Sequence, residues 1–178
     1  MFLTMALQLY IGNKNYSSWS MRPWVLMRQL RIEFEEVKLQ LDFDERSAFK
    51  QALASISPAR KVPVLVDDGF AVWDTLAITE YLHERTGGIG VWPAAAQDRA
   101  RARSLCAEMH SGFSTLRTLC PMNIEASLGD VGRAMWSDKA QRRQLLRFRQ
   151  AIANSDDTRV RIDDSADDRE PKFYVRQL

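Results

Sequence analysis

Two cysteines, Cys106 and Cys120, are all the thiols in 178 residues. That excludes a disulfide scaffold and a zinc site of four cysteines. It points instead to reduced thiols in a cytoplasmic protein, with no metal. Long apolar runs are missing too: no stretch approaches the roughly 18 consecutive apolar residues that a membrane-spanning helix needs. The first thirteen residues are apolar but lack the basic start and small-residue cleavage site of a secretory leader. Met5 offers an alternative start. There is no internal repeat and no DNA- or RNA-binding motif. Hydrophobic residues make up 46% and charged residues 27%. Those ordinary fractions exclude wholesale disorder and collagen-like structure. A chain of this length can bury a core without covalent staples.

The net charge of +2 hides a split along the chain. Residues 1–84 carry 9 basic and 11 acidic side chains, residues 85–150 carry 11 and 5, and residues 151–178 carry 5 and 7. Arg99, Arg101, Arg103, Arg142, Arg143, Arg147 and Arg149 supply most of the basic middle. A basic stretch can bind nucleic acid, but with no accompanying motif a solvated helix face is the expectation.

Ala6–Ile11 reads as a short buried strand. Apolar residues at Met21, Trp24, Val25, Met27 and Leu30 give a helix over Ser20–Arg31, with Pro23 tolerated in its first turn. Phe34–Leu39 reads as a strand and Asp44–Ala54 as a short helix. Val62–Val66 and Phe70–Trp73 are strands joined by the hairpin signal Asp67-Asp68-Gly69. Asp74–His83 is a helix. The order βαβαββα is thioredoxin-like and α/β; its crossover helices imply parallel pairing, and the hairpin adds an antiparallel edge. This domain spans 1–84. Residues 85–94 form a linker with three glycines and a proline. Residues 95–178 are expected to form an all-α C-terminal domain that is incomplete. It has one long helix over Ala95–Leu119 and another over Val131–Ile152. Past about residue 151 the chain is expected to be divergent or loosely packed, since residues 154–170 carry seven acids in seventeen positions.

Three segments of the first domain carry chemistry. Redox members of the thioredoxin-like fold place C-x-x-C at the start of the first helix, where the helix N-terminus lowers a thiol pKa. Here that position reads Tyr16-Ser17-Ser18-Trp19-Ser20. Without a thiol, disulfide exchange is excluded. Hydroxyls at a positive helix end suit an anion, and a thiolate carried in by a ligand is one; a plain N-cap would read the same way. In Lys61-Val62-Pro63-Val64-Leu65 a proline opens a strand. If the Val62–Pro63 bond is cis, Val62 offers its backbone N–H and C=O to an extended peptide; an ordinary trans proline at a strand edge is the alternative. Finally, Asp74 or Thr75 caps the helix that follows. Its free N–H groups with the Thr75 hydroxyl suit a carboxylate, and Asp74 suits an ammonium. An α-amino acid end group needs both, though pure capping accounts for the same letters.

In order and spacing, "NKNYSSWSMRPW", "SPARKVPVLVDDG" and "VWDTLAITEYLHER" closely resemble the N-terminal domain of the glutathione transferase family. "GVWPAAAQDRARARSLCAEMHSGF" resembles its linker and first helical segment, so the likeness covers roughly residues 6–125. It implies glutathione as co-substrate, with Ser17 or Ser18 donating a hydrogen bond to its sulfur and holding it as thiolate. The S-S-W-S-M-R run is similar to the S-S-C-S-W-R run of bacterial zeta-like, serine-using members. There the first serine is usually catalytic, which corresponds to Ser17. Tyr16 is a competing phenolic donor; Tyr10, inside a strand, ranks lower. Trp19 stands where those members often have cysteine, which argues against a zeta-type isomerase. By the same resemblance Val62, ahead of Pro63, pairs with the cysteinyl backbone, Asp74 and Thr75 hold the γ-glutamyl end, and Lys61 can meet the glycyl carboxylate. Members usually have Glu-Ser where Asp74 and Thr75 stand, and a capping box opening an apolar core helix in the second half. Ser165-Ala166-Asp167-Asp168 has the letters of that box but is followed by Arg169-Glu170-Pro171 and not by an apolar run, so the core helix is expected to be absent and the chain past about residue 151 is expected to depart from the family, by truncation or a changed reading frame. The implied activity is attack of the thiolate on a small electrophile, a detoxifying conjugation by a homodimer without membrane or nucleic acid. The alternative is a non-catalytic, glutathione-transferase-like module that binds protein.

Overall fold

The computed structural model describes residues 7–88, 90–127 and 129–153. Leu7, Leu9 and Ile11 alternate with Gln8 and Tyr10, so strand β1 (Leu7–Ile11) buries the first set on one side of the sheet and leaves the second half-buried on the other. Helix α1 (Ser18–Gln29) follows, then β2 (Phe34–Lys38), α2 (Ala48–Ala54), the hairpin of β3 (Val64–Asp67) and β4 (Phe70–Trp73), and α3 (Thr75–Arg85). The sheet order is β2-β1-β3-β4. On one face Leu7, Leu9 and Ile11 pack with Met27 of α1, Leu65 of β3, and Ile78 and Leu82 of α3. On the other, Phe49 and Leu53 of α2 meet Val64, with Tyr10, Leu41 and Val62 around them. Each fully buried Leu or Ile contributes about 1.5–3 kcal/mol, so these two layers fix the strand ends that carry the motif residues.

The strand pairing differs from expectation in a way that matters for the site. β1 and β2 are parallel, but β3 runs antiparallel to β1, and β4 antiparallel to β3. α2 has only seven residues, about 10 Å, and the chain re-enters the sheet at the end where it left β2. In consequence the C-terminal end of β1, the N-terminal end of β3 and the C-terminal end of β4 lie together. The register puts Tyr10 opposite Val64, and Val64 opposite Trp73. The residues flanking these three ends are the three motif segments.

The two long helices expected after the linker are each interrupted. The first becomes α4 (Ala96–Ser111) and α5 (Ser114–Leu119). Gly112 is extended, and Phe113 takes a left-handed conformation with φ 62° that turns its ring inward, to 3% exposure. That ring meets Phe148 edge-on at 5.0 Å. The second becomes α6 (Gly129–Ser137) and α7 (Lys139–Ala153), because the Asp138 carboxylate accepts hydrogen bonds from the N–H groups of Ala140 and Gln141 at 2.9 and 3.0 Å. Asp138 thus caps a new helix. Of the apolar positions expected to line the first long helix, Ala102, Leu105, Cys106, Met109, Phe113 and Leu116, only Phe113, at the break, is buried; the others are half-buried, and neither α4 nor α5 contains a buried residue. The acidic stretch from residue 154 lies outside the described residues.

Candidate functional site

Ser17 is the N-cap residue of α1 by position, yet its side chain makes no capping hydrogen bond. Its hydroxyl instead donates to Ser20 Oγ at 2.8 Å, and Ser20 Oγ accepts from the Gly12 N–H at 3.1 Å. Ser18 opens the helix. No acidic residue occupies the first turn of α1, so the N-terminal partial charge is left for an anion. Tyr16 is 55% exposed, and Tyr10 packs in the cluster on the α2 side of the sheet.

The Val62–Pro63 peptide bond is cis. Pro63 is buried, Val62 lies two residues ahead of β3 and outside its ladder, and Lys61 is exposed. Across the sheet end, Asp74 adopts a left-handed backbone, φ 77°, and its carboxylate caps α3 by accepting from Leu76 N–H at 2.9 Å. The other carboxylate oxygen lies 3.4 Å from His110 Nε2 of α4. Thr75 is 4% exposed, and its buried Oγ1 has no partner among the described residues. A buried hydroxyl left unpaired costs about 1–3 kcal/mol.

The helical half supplies residues that the sequence did not single out. His110 packs edge-to-face on Trp19 at 5.1 Å. The guanidinium groups of Arg22 and Arg117 lie against the same indole, 4.0 and 4.7 Å from its centre. Burial and then the Arg117 charge pull the Arg22 pKa below its usual value. Burial also pushes the Cys106 thiol up, which suits a packing residue rather than a nucleophile. Asn15, buried beside the serine loop, donates to Asn123 Oδ1 and accepts from Glu125 N–H, both at 3.0 Å, tying the segment after α5 to the approach to α1. Arg22 sits in the same run as the serines and could have been noticed there. His110 and Asn123, 36 and 108 positions from Asp74 and Asn15, carry no local signal. Among the described residues no group of three or more His, Cys, Asp or Glu side chains could hold a metal, and no helix is long and apolar enough to cross a membrane.

Residues 16–85 match the family model described as the N-terminal domain of glutathione S-transferase. This part of the chain belongs to the glutathione transferase family. Rat maleylacetoacetate isomerase is 28% identical over 132 residues, covering 74% of this chain and 59% of that protein. A probable maleylacetoacetate isomerase of Caenorhabditis elegans is 32% identical over 111 residues, covering 62% and 50%. Among solved structures, a glutathione transferase homolog from Burkholderia with bound glutathione superposes with a TM-score of 0.51 at 27% identity, covering 74% of this chain and 64% of that one. The chain therefore spans about half to three-fifths of the curated relatives it matches. In this glutathione transferase domain the matched residues include the serine run, the Val62–Pro63 step and the Asp74-Thr75 pair.

Proposed function

We propose that the chain binds glutathione across the three joined strand ends and activates its thiol for attack on a small electrophile. The observation that carries this reading is the buried, unpartnered Thr75 hydroxyl at the first turn of α3. In the proposed complex it and the free N–H groups of that turn take the γ-glutamyl carboxylate, while Asp74 takes the ammonium, His110 giving way. The Val62 backbone pairs with the cysteinyl unit beside Pro63, and Lys61 reaches the glycyl carboxylate. Ser17 is the proposed thiolate donor, ahead of Ser18 and Tyr16. Hydroxyl protons rotate freely, so the Ser17–Ser20 hydrogen bond can reverse while the Gly12 N–H still donates to Ser20: Ser20 then donates to Ser17, and Ser17 to sulfur. Lowering a thiol pKa by about two units takes about 2.7 kcal/mol. A charge-assisted hydrogen bond of about 1.5–3 kcal/mol and a helix N-terminus of about 0.3–1 kcal/mol cover that.

The proposed setting is the cytoplasm, in keeping with two free cysteines. The proposed assembly is a homodimer through the outer edge of the sheet, where Phe70 and Trp73 of β4 are 62% and 43% exposed. The relatives named as isomerases raise isomerisation of an unsaturated acid as a finer possibility, but Trp19 in place of a cysteine favours conjugation. A non-catalytic protein-binding module is the second reading, favoured by the absence of buried residues in α4 and α5. The test is calorimetric binding of glutathione followed by a conjugation assay with 1-chloro-2,4-dinitrobenzene. Ser17→Ala is expected to keep glutathione affinity within about threefold and lose about a hundredfold in kcat, about 2.7 kcal/mol, with Ser18→Ala near wild type. Binding without turnover in the wild type would support the module, and no glutathione binding at all would sink the enzyme reading.

A further inference from the structure

Glu36 of β2 lies opposite Leu9 of β1. Phe34, two residues away and so on the same face, packs with the core that α1 covers. A charge in such a place is costly unless it is paired. The Glu36 carboxylate, on a side chain 23% exposed, accepts from Lys14 Nζ at 2.8 and 3.1 Å and from Trp24 Nε1 at 2.7 Å, and it faces the Arg28 guanidinium at 4.0 Å. Lys14 Nζ also lies 4.8 Å from the centre of the Trp24 ring. Burial pushes the Glu36 pKa up. The hydrogen bonds from Lys14 and Trp24, with the charges of Lys14 and Arg28, more than offset that and hold it below the ordinary carboxylate value. Apolar side chains of the same volume often stabilise a fold as well as such a cluster does; what the cluster adds is direction. Trp24 closes the second turn of α1, and Lys14 stands three residues before Ser17. Lys14 belongs to the tight turn that enters α1, where the Asn13 carbonyl accepts from Tyr16 and Ser17 N–H at 3.1 and 2.8 Å. One carboxylate therefore grips both the turn that carries Ser17 and the helix whose N-terminus it faces.

We propose that Glu36, acting through Lys14 and Trp24, is a positioning residue that sets the Ser17 hydroxyl at the start of α1. The proposal rests on the glutathione-binding reading, in which Ser17 donates to the sulfur. Without the anchor the turn swings and opens more often, and Ser17 Oγ leaves its line to the sulfur. A hydrogen bond weakens steeply as its angle closes, and a small misplacement of a reacting group is costly in rate. Val62, Asp74 and Thr75, the proposed holders of the peptide, stand on other elements. Loss of the anchor therefore separates activation of the thiol from binding of glutathione.

The test uses the full chain with glutathione and 1-chloro-2,4-dinitrobenzene. Glu36→Gln is expected to lower kcat about tenfold, about 1.4 kcal/mol, with glutathione affinity within about twofold of wild type. The acidic limb of the kcat–pH profile should move up by about one unit, since less of the bound thiol is thiolate. Lys14→Met, at a side chain 38% exposed, should repeat both effects even if Glu36→Gln folds poorly. Lys14→Arg, which keeps the charge, should retain most of the rate. In the Ser17→Ala background Glu36→Gln should cost no further rate, because it acts through a hydroxyl that is gone. A lowered urea midpoint with kcat unchanged would make Glu36 merely structural and overturns the proposal. So does a loss in kcat that persists undiminished in the Ser17→Ala background. A tenfold loss of glutathione affinity with kcat intact also overturns it, and would give Lys14 to a ligand carboxylate. If the wild type binds no glutathione, the underlying reading fails. Amide exchange at Tyr16 and Ser17 then still decides whether Glu36 holds the turn: exchange about tenfold faster in Glu36→Gln supports the anchor, and equal exchange overturns it.

Discussion

Thr75 separates a residue kept for stability from one kept for a ligand. A buried hydroxyl without a partner weakens the fold, so an isosteric methyl in its place removes a penalty rather than a contact. Thr75→Val is therefore expected to leave the urea midpoint equal or higher while weakening glutathione binding about tenfold, roughly 1.4 kcal/mol. A fall in the midpoint would mean that the hydroxyl is structural. At this scale the sequence named Asp74 and Thr75 from cap chemistry alone, and both lie at the sheet end that gathers the motif segments. It could not tell capping from binding, because both use the same N–H groups. The structure shows Asp74 doing the capping and Thr75 holding an unused hydroxyl. For Ser17 the letters suggested an N-cap, yet its hydroxyl turns to Ser20. Only the position of Ser20, one turn along α1 and within reach of Gly12, explains that choice.

At the scale of elements, every strand and helix of the first domain was legible, because β1 alternates, α1 has helical spacing, and Asp68-Gly69 marks a hairpin. The direction of β3 was not: a crossover helix of seven residues says little about which end of the sheet the chain returns to. Nor were the helix breaks, since Phe113 continues the apolar spacing of α4 and leaves it only through its left-handed backbone. The hairpin is bound to α3 by Asp67, which takes two hydrogen bonds from Arg85 and one at 2.8 Å from the Tyr81 hydroxyl. The Arg85 hydrogen bond, against some burial and with help from Tyr81, holds the Asp67 carboxyl below its usual range. A carboxyl lowered by folding stabilises fully above its unfolded pKa, about 3.9, and the contribution fades as pH falls through the lower folded value. Asp67→Asn should therefore lower the urea midpoint at pH 7, with the gap from wild type closing below about pH 4. A gap independent of pH would show that the carboxylate charge is irrelevant.

For the molecule as a whole, long-range ties join the sheet end to the helical half. They include Asn15 to residues 123–125, Glu80 to Arg103 at 2.8 Å, and Asp74 to His110. The surface ion pairs are worth little, so the buried Asn15 should dominate. Asn15→Ala is expected to cost about 2 kcal/mol, for two lost hydrogen bonds and partners left short. Faster proteolytic cleavage between residues 120 and 127 should accompany the loss. An unchanged midpoint and cleavage rate would show that the two parts hold together without it. None of these ties was readable beforehand, because each joins residues far apart in the chain whose local patterns are unremarkable. The charge split was readable, and its basic middle is partly accounted for: Arg99 bonds the Pro93 and Ala94 carbonyl oxygens, while Arg103 and Arg147 meet Glu80 and Glu108.

Trp19, with a histidine at its edge and two guanidinium groups against it, is also a built-in fluorophore. Indole emission is sensitive to adjacent cations and to imidazole protonation. A molecule that comes against Trp19, or displaces His110 from Asp74, alters the light that Trp19 returns. Ligand entry can thus be followed in the unlabelled protein, with Trp19→Phe as the blank against the four other tryptophans of the five in the chain.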